Sequence, residues 1–222
     1  MEKFEQGGLV HPGKHNDDLF TFVGDALAFD VVNTERLVKG TRRDLMMSPD
    51  ALTHWWHQAQ LHYPTLELEQ GNQEALTADL EVLDAFKVLR TALRQLFEDV
   101  MAEREIHEEN LSLLNDTLKM GSQVLEQAEP GSFRLRDQPG AQPQARILLP
   151  IVRSAIWLLT EGTRSRLHSC QNPRCRLFFY DRTRSATRQW CCLKCMDRAR
   201  SARRYEQVKE QKPGAPVSPP SL

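Results

Sequence analysis

The 222-residue sequence predicts a mainly α N-terminal domain with a small β component, followed by a small cysteine-bearing module. Three observations predict it. Stretches before residue 160 repeat apolar residues at threes and fours, the spacing of one helix face. All five cysteines fall between Cys170 and Cys195. The charge is also divided: Arg164 to Lys212 carries 14 Lys/Arg against 4 Asp/Glu, near +10, while the remaining 15 basic and 26 acidic residues leave the rest near −11. Hydrophobic residues make up 40% of the chain, enough for a real core, and no run approaches the roughly 18 apolar residues that a membrane span requires.

Residues 1–18 are polar with Gly and Pro and read as a loose N-terminus. Gly8 to Lys14 nearly spells a phosphate-binding loop, but His15 stands where Ser or Thr would hold magnesium and no apolar strand precedes it. The helical domain is expected over 19–163. Leu19 to Val32 is apolar, either a strand pair turning at Gly24-Asp25 or a strand entering a helix. Asp30, Asn33 and Thr34 close that run. They read either as capping and turn groups or as the lining of a small-ligand pocket. Ser48-Pro49-Asp50 is a helix start, with Leu52, Trp55, Trp56 and Ala59 on its apolar face and His54, His57 and His62 as surface histidines.

Leu76 to Met101 has the clearest helical period, through Leu80, Leu83, Phe86, Leu89, Leu93, Leu96, Phe97 and Val100. Leu111, Leu114, Leu118 and Leu125 read as a second helix, Phe133 to Arg136 as a strand in a turn-rich segment, and Pro150 as the opening of a buried helix ending near Gly162. The cysteine module is expected over 164–212. Residues 213–222, with four prolines, read as a disordered tail.

Cys170 and Cys175 are separated by four residues, Cys191 and Cys195 by three. Two short-spaced pairs around a longer loop is the pattern of a closed, tetrahedral Zn2+ site. A disulfide framework would need an oxidising compartment. The first residues contain no apolar segment of the signal-peptide kind, and five is an odd number, so a cytoplasmic protein with metal-bound thiols is expected. Unrelated buried thiols would not fall into pairs. A redox role rests only on Cys192-x-x-Cys195. Cys170, Cys175 and Cys195 are ligands in every version. Cys191 is chosen for the fourth place because it would close a hairpin strand, with Cys192 as its alternative and His168 as a remoter substitute. Asn172-Pro173-Arg174 forms a knuckle, Leu177 to Tyr180 a strand whose return is Arg188 to Trp190, and Leu193 onward a helix. Together these make a treble-clef-like four-cysteine zinc module. So small a module takes most of its folding free energy from the metal. Cys175→Ser is therefore expected to unfold it and leave the helical domain folded.

Cys170-Gln-Asn-Pro-Arg-Cys175, Leu177-Phe178, Asp181, Arg188-Gln-Trp-Cys191 and Cys195-Met-Asp-Arg198 resemble the CGNR zinc-finger family over Cys170 to Tyr205. Met196-Asp197 replaces the name-giving Gly-Asn, and the Cys191 to Cys195 gap is one residue shorter than usual. Leu27-Ala-Phe-Asp-Val-Val-Asn-Thr34, Asp44-Leu45 and Ser48-Pro49 through Trp55 resemble, more loosely, the ABATE domain that accompanies that finger. The resemblance implies a transcription regulator linked to stress.

Arg198, Arg200, Arg203, Arg204 and Lys209 lie within about three helical turns, with Arg174, Arg182, Arg184 and Arg188 on the knuckle and hairpin. Guanidinium groups suit phosphate oxygens and guanine edges, so DNA is the expected partner. The basic end would otherwise dock on the acidic domain or grip an acidic protein partner. The acidic domain is expected to sense a small effector, bind a protein or form a homodimer. No catalytic motif is present, and a four-thiolate site has no open coordination position, so no enzymatic role is expected.

Overall fold

The structure, a computed structural model, describes residues 20–38, 40–63, 78–129 and 131–210. The expectations for 1–18, for the helix start at Leu76 and for the tail 213–222 lie outside these residues. Six α-helices, one short 3-10 helix (Arg164–Arg166) and three antiparallel strand pairs are described. The elements are α1 (Leu27–Val32), β1 (Glu35–Val38), β2 (Thr41–Asp44), α2 (Pro49–His62), α3 (Leu80–Met101), α4 (Glu108–Leu118), β3 (Gly121–Glu129), β4 (Ser132–Pro139), α5 (Ala145–Thr160), β5 (Leu167–Ser169), β6 (Phe178–Tyr180) and α6 (Leu193–Glu210). None of the described helices is long and apolar enough to cross a membrane.

The short helix α1 is the hub. Each of its residues is buried, Asp30 included, and it packs against α3, α5 and β6. A helix apolar on all sides belongs inside a fold. Its N-cap, Ala26, has no capping side chain. Ser154 of α5 supplies the missing acceptor through its Oγ, which receives Ala28 N–H at 3.1 Å. The segment before it, Phe20 to Asp25, forms no strand. Gly24 is required there: a Cβ would lie 2.7 Å from Phe29 Cβ. Asp25 then takes a left-handed φ of 56°, which aspartate tolerates better than most residues.

α2 begins as its sequence predicts, with Ser48 Oγ accepting Ala51 N–H at 3.2 Å and Leu52, Trp55, Trp56 and Ala59 buried. α3 is capped by Asp79, which accepts Val82 N–H at 2.8 Å. Leu80 is therefore the first helical residue and is 67% exposed, outside the buried stripe. Leu114 is buried on α4 and Leu111 is exposed. Leu125 lies on β3, two-thirds exposed, where helix periodicity over 111–125 had crossed a turn. The strand expected at 133–136 belongs to the longer β4, paired with β3 throughout. Pro150 does not open α5. The helix starts at Ala145 and carries Pro150 inside it, in its second turn, where the lost N–H leaves only the Arg146 carbonyl without a helical partner. The β1–β2 hairpin, rich in Arg, had no apolar alternation to announce it.

In the C-terminal module, Phe178–Tyr180 pairs with Leu167–Ser169 and not with residues 188–190. The knuckle between them folds its own flanks together. Segment 188–190 is held instead by Gln171 N–H on the Gln189 carbonyl at 3.0 Å. The module is not a separate body. Leu167, Phe178 and Tyr180 belong to the same core as Phe29, Phe97 and Ile151. Asn33, at the end of α1, acts as a one-residue strand: its Nδ2 donates to Phe178 O at 2.9 Å and its Oδ1 accepts Phe178 N–H at 2.8 Å. Tyr180 N–H donates to Gly24 O at 2.8 Å.

Asn33→Ala strands two buried backbone groups of Phe178. It should cost about 2–4 kcal/mol, lowering the urea midpoint with little change in m.

Candidate metal centre

Cys170 follows β5, and Asn172-Pro173-Arg174 turns the chain back to Cys175. Cys175 N–H donates to Asn172 O at 2.9 Å, and Cys170 N–H to Leu177 O at 2.8 Å. Arg176 takes a φ of 61°, completing the turn. Buried Asn172 accepts Arg174 N–H through Oδ1 at 3.0 Å and donates from Nδ2 to Cys195 O at 3.1 Å, tying the knuckle to the first turn of α6. Asp181, fully buried, accepts Thr183 N–H and Arg188 N–H, each at 2.8 Å, which shapes the loop leading to Cys191.

The sulfurs of Cys170, Cys175, Cys191 and Cys195 all lie within 4.8 Å of one another, and all four residues are buried. Cys175 and Cys191 sulfurs are 3.6 Å apart. Tetrahedral zinc with Zn–S of about 2.3 Å sets sulfurs about 3.8 Å apart, so the donor set fits that ion. Cys192, half-buried, lies outside the group with its sulfur 3.9 Å from that of Cys191. His168 packs on Phe179 and is not among the cluster. Around the sulfurs, Val23, Leu177, Phe179 and Trp190 form a small apolar shell. Contact with Cys175 drives the Cys170 thiol pKa down, and contact with Cys170 drives those of Cys191 and Cys195 up. The four divide protons among themselves in a way that a divalent cation would relieve.

The arginines named from sequence fall into two groups. Arg182 donates to the Asp25 carbonyl at 2.8 and 3.1 Å and lies over Trp157. Arg188 pairs with the Asp25 carboxylate at 2.5 Å, donates to the Trp190 and Cys191 carbonyls, and lies over Phe179. Both are engaged within the protein, holding the module to the loop before α1. Arg174, Arg184, Arg198, Arg200, Arg203 and Arg204 are exposed, and their guanidinium groups have no partner among the described residues. Asp25 was read from sequence only as a turn residue beside Gly24, and nothing local marked it as the partner of Arg188.

Asp30, Asn33 and Thr34 are also occupied internally. Asp30 accepts Val23 N–H at 3.0 Å, Gly24 N–H at 2.8 Å and the Tyr63 hydroxyl. Thr34 donates to Val31 O at 2.7 Å and accepts Arg90 at 3.1 Å. Arg90 in turn grips Asp44 at 2.6 and 2.7 Å. Burial opposes ionisation of Asp44, yet these bonds hold its carboxyl below the usual range. His54, His57 and His62 are exposed, as expected.

Fold and cluster together define a helical protein with a C-terminal zinc-finger module. Residues 25–162 match the ABATE family, described as "Putative stress-induced transcription regulator", and residues 166–207 match the CGNR zinc finger. The first match spans more than half of the chain, and the protein belongs to that family. The zinc finger and the four-sulfur cluster both support Zn2+ as its ion. Neither family is enzymatic by its description. No curated protein matches the chain.

Burial pushes the Asp30 pKa up to about 7. A raised folded pKa favours the neutral carboxyl, so its contribution to stability is full at low pH and is lost as pH rises from about 4 through 7. Asp30→Asn should flatten that decline, whose ceiling is about 1.4 kcal/mol per pH unit for one proton. Urea unfolding at a series of pH values checks it.

Proposed function

We propose that the protein is a DNA-binding transcription regulator. In this reading Cys170, Cys175, Cys191 and Cys195 hold Zn2+, the module over 164–212 contacts DNA, and the helical domain over 19–163 senses a signal or partner. The observation that carries it is the state of α6. From Arg200 to Tyr205 every residue is exposed, and the helix has no apolar face to bury on its own chain. A polar helix anchored at one end by a zinc ligand is stable where something else covers it. Its surface charge is arginine, so a phosphate backbone is the fitting cover. At 18 residues α6 is about 27 Å long, enough to follow a groove.

The arginines proposed for phosphate contact are Arg174, Arg184, Arg198, Arg200, Arg203 and Arg204. Arg182 and Arg188 act instead as fasteners of the module. A zinc-scaffolded module gripping an acidic protein is the alternative reading, favoured by the same charge.

Zinc-loaded full-length protein should shift random-sequence duplex DNA at low salt. Arg203→Ala with Arg204→Ala should weaken that binding about tenfold or more and reduce the salt slope by about 2. Absence of any shift at low salt would select the protein-interaction alternative. Metal analysis tests the ligand set. Cys192→Ser should retain one zinc per chain, while Cys191→Ser should lose it and lower the midpoint of a single unfolding transition, because module and helices share a core. Two separate transitions would count against that coupling.

A further inference from the structure

We infer that a cleft between the helical part and the zinc module binds a small organic monoanion, a carboxylate with an apolar body. This ligand is the signal that the regulator reads, a step that rests on the function proposed above. The cleft has a volume of about 900 Å3. Its walls come from three places: Arg36 and Leu37 of β1, Arg94 and Met101 of α3, and Arg176 and Phe178 of the zinc-bearing segment. A ligand there touches both family units at once.

The charge on the walls selects the class of ligand. Five arginines and two glutamates line the cleft, an excess of three positive charges. Arg42 is paired with Glu35, and Arg104 with Asp99 at 2.7 Å. Arg94 donates from Nη2 to Val32 O at 2.7 Å and Glu35 O at 2.9 Å, which fixes the guanidinium. Its Nε and Nη1 have no hydrogen-bond partner among the described residues. Arg176 has none either. Nε and Nη1 lie on opposite sides of the group, so each offers an N–H to a single carboxylate oxygen, and Arg176 adds a second cation to the wall. Burial lowers the Arg94 pKa to about 10, and an anion beside it would offset that cost.

The same surroundings oppose a polyanion. Cys170 and Cys175 line the cleft, and zinc with four thiolates carries a net charge of −2. Glu98 adds another negative charge on the α3 wall. One negative charge suits the open N–H groups of Arg94; two or three would meet the metal cluster. Leu37 and Met101, both half-buried, supply an apolar surface for the ligand's body, and Arg94 rests 5.3 Å from the centroid of the buried Phe178 ring behind them. Phe178 is also the residue clamped by Asn33, so occupancy bears directly on the joint between the helices and the module.

The test uses zinc-loaded full-length protein and thermal unfolding with benzoate, octanoate, benzamide and sulfate, each at about 5 mM. At least one of the two carboxylates should raise the midpoint, and benzamide and sulfate should not. Arg94→Gln should weaken the apparent affinity about tenfold. Should that variant fail to fold, Arg176→Gln, which removes no described contact, decides the matter with an expected loss of about threefold. The proposal is overturned if neither carboxylate shifts the midpoint, if benzamide or sulfate matches them, or if the substitutions leave affinity unchanged. A gel shift without ligand tests DNA binding by itself. A carboxylate that binds but leaves the gel shift unaltered preserves the cleft and removes only its signalling role.

Discussion

Four buried sulfurs within 4.8 Å of one another are the constraint on which the C-terminal module depends. As bare thiolates they repel, and as thiols they leave a cluster of weak donors in a shell too small to hold a fold. A cation at their centre reverses the sign of the interaction. It fixes the knuckle, the loop after Asp181 and the first turn of α6 to one point. Asn172 carries that constraint outward, since its side chain spans the knuckle and the carbonyl of Cys195. The direction of α6, and with it the placement of its arginines, follows from where the last ligand sits.

The metal alone does not place the module on the rest of the protein. Three backbone-directed contacts do so. Asn33 pairs with both polar groups of Phe178, Gly24 accepts from Tyr180, and the Asp25 carbonyl receives Arg182. All three come from the segment around α1, which is buried on every side. The consequence is coupling. Phe178 and Tyr180 are core residues of the helical part, and Val23 of the helical part is a shell residue of the sulfur cluster. Two units matched by separate family models are therefore one folding problem at their joint. A change at the cleft floor and a change at the metal act on the same strand.

The sequence made the cluster legible because metal ligation is a short-range spacing rule: two close pairs suffice, and no long-range contact need be known. Helix α2 was equally plain, since Ser48, Pro49 and the Trp55-Trp56 face are local signals. What stayed hidden is what depends on distant partners. The pairing of β5 with β6 is set by the knuckle between them, whereas the sequence reading placed the strand's return at 188–190. Leu125 continued a helical count that Gly121 had already ended. Asn33 read as a turn group or as pocket lining, and nothing nearby in sequence could name Phe178 as its partner. The one overlooked signal was on α3. Arg90 and Arg94 stand four apart within a stripe of Phe86, Leu89, Leu93 and Phe97. Charged residues so placed must find partners or line a cavity; Arg90 found Thr34 and Asp44, and Arg94 lies at the cleft.

The excess of arginine at the C-terminal end thus has two physical meanings. Arg166, Arg182 and Arg188 bond to carbonyls and to Asp25, and work as polar fasteners that satisfy loop backbone. Among the described arginines of this module, the exposed set on the knuckle, the loop after Asp181 and α6 is available to a partner. Composition counts both alike and so overstates the charge that a nucleic acid would meet. The distinction matters because counterion release depends on the cations that actually reach phosphates. It also separates the expected effects of substitution. Removing Arg188 would break a joint and act through stability, whereas removing exposed Arg203 would act on the proposed binding. In the proposed function, the acidic helical part, kept close to the module by those fasteners, would place a repulsive surface beside a duplex engaged by α6. Orientation on a polyanion would therefore be restricted to poses that turn the helices away, a specificity of geometry that needs no base contact.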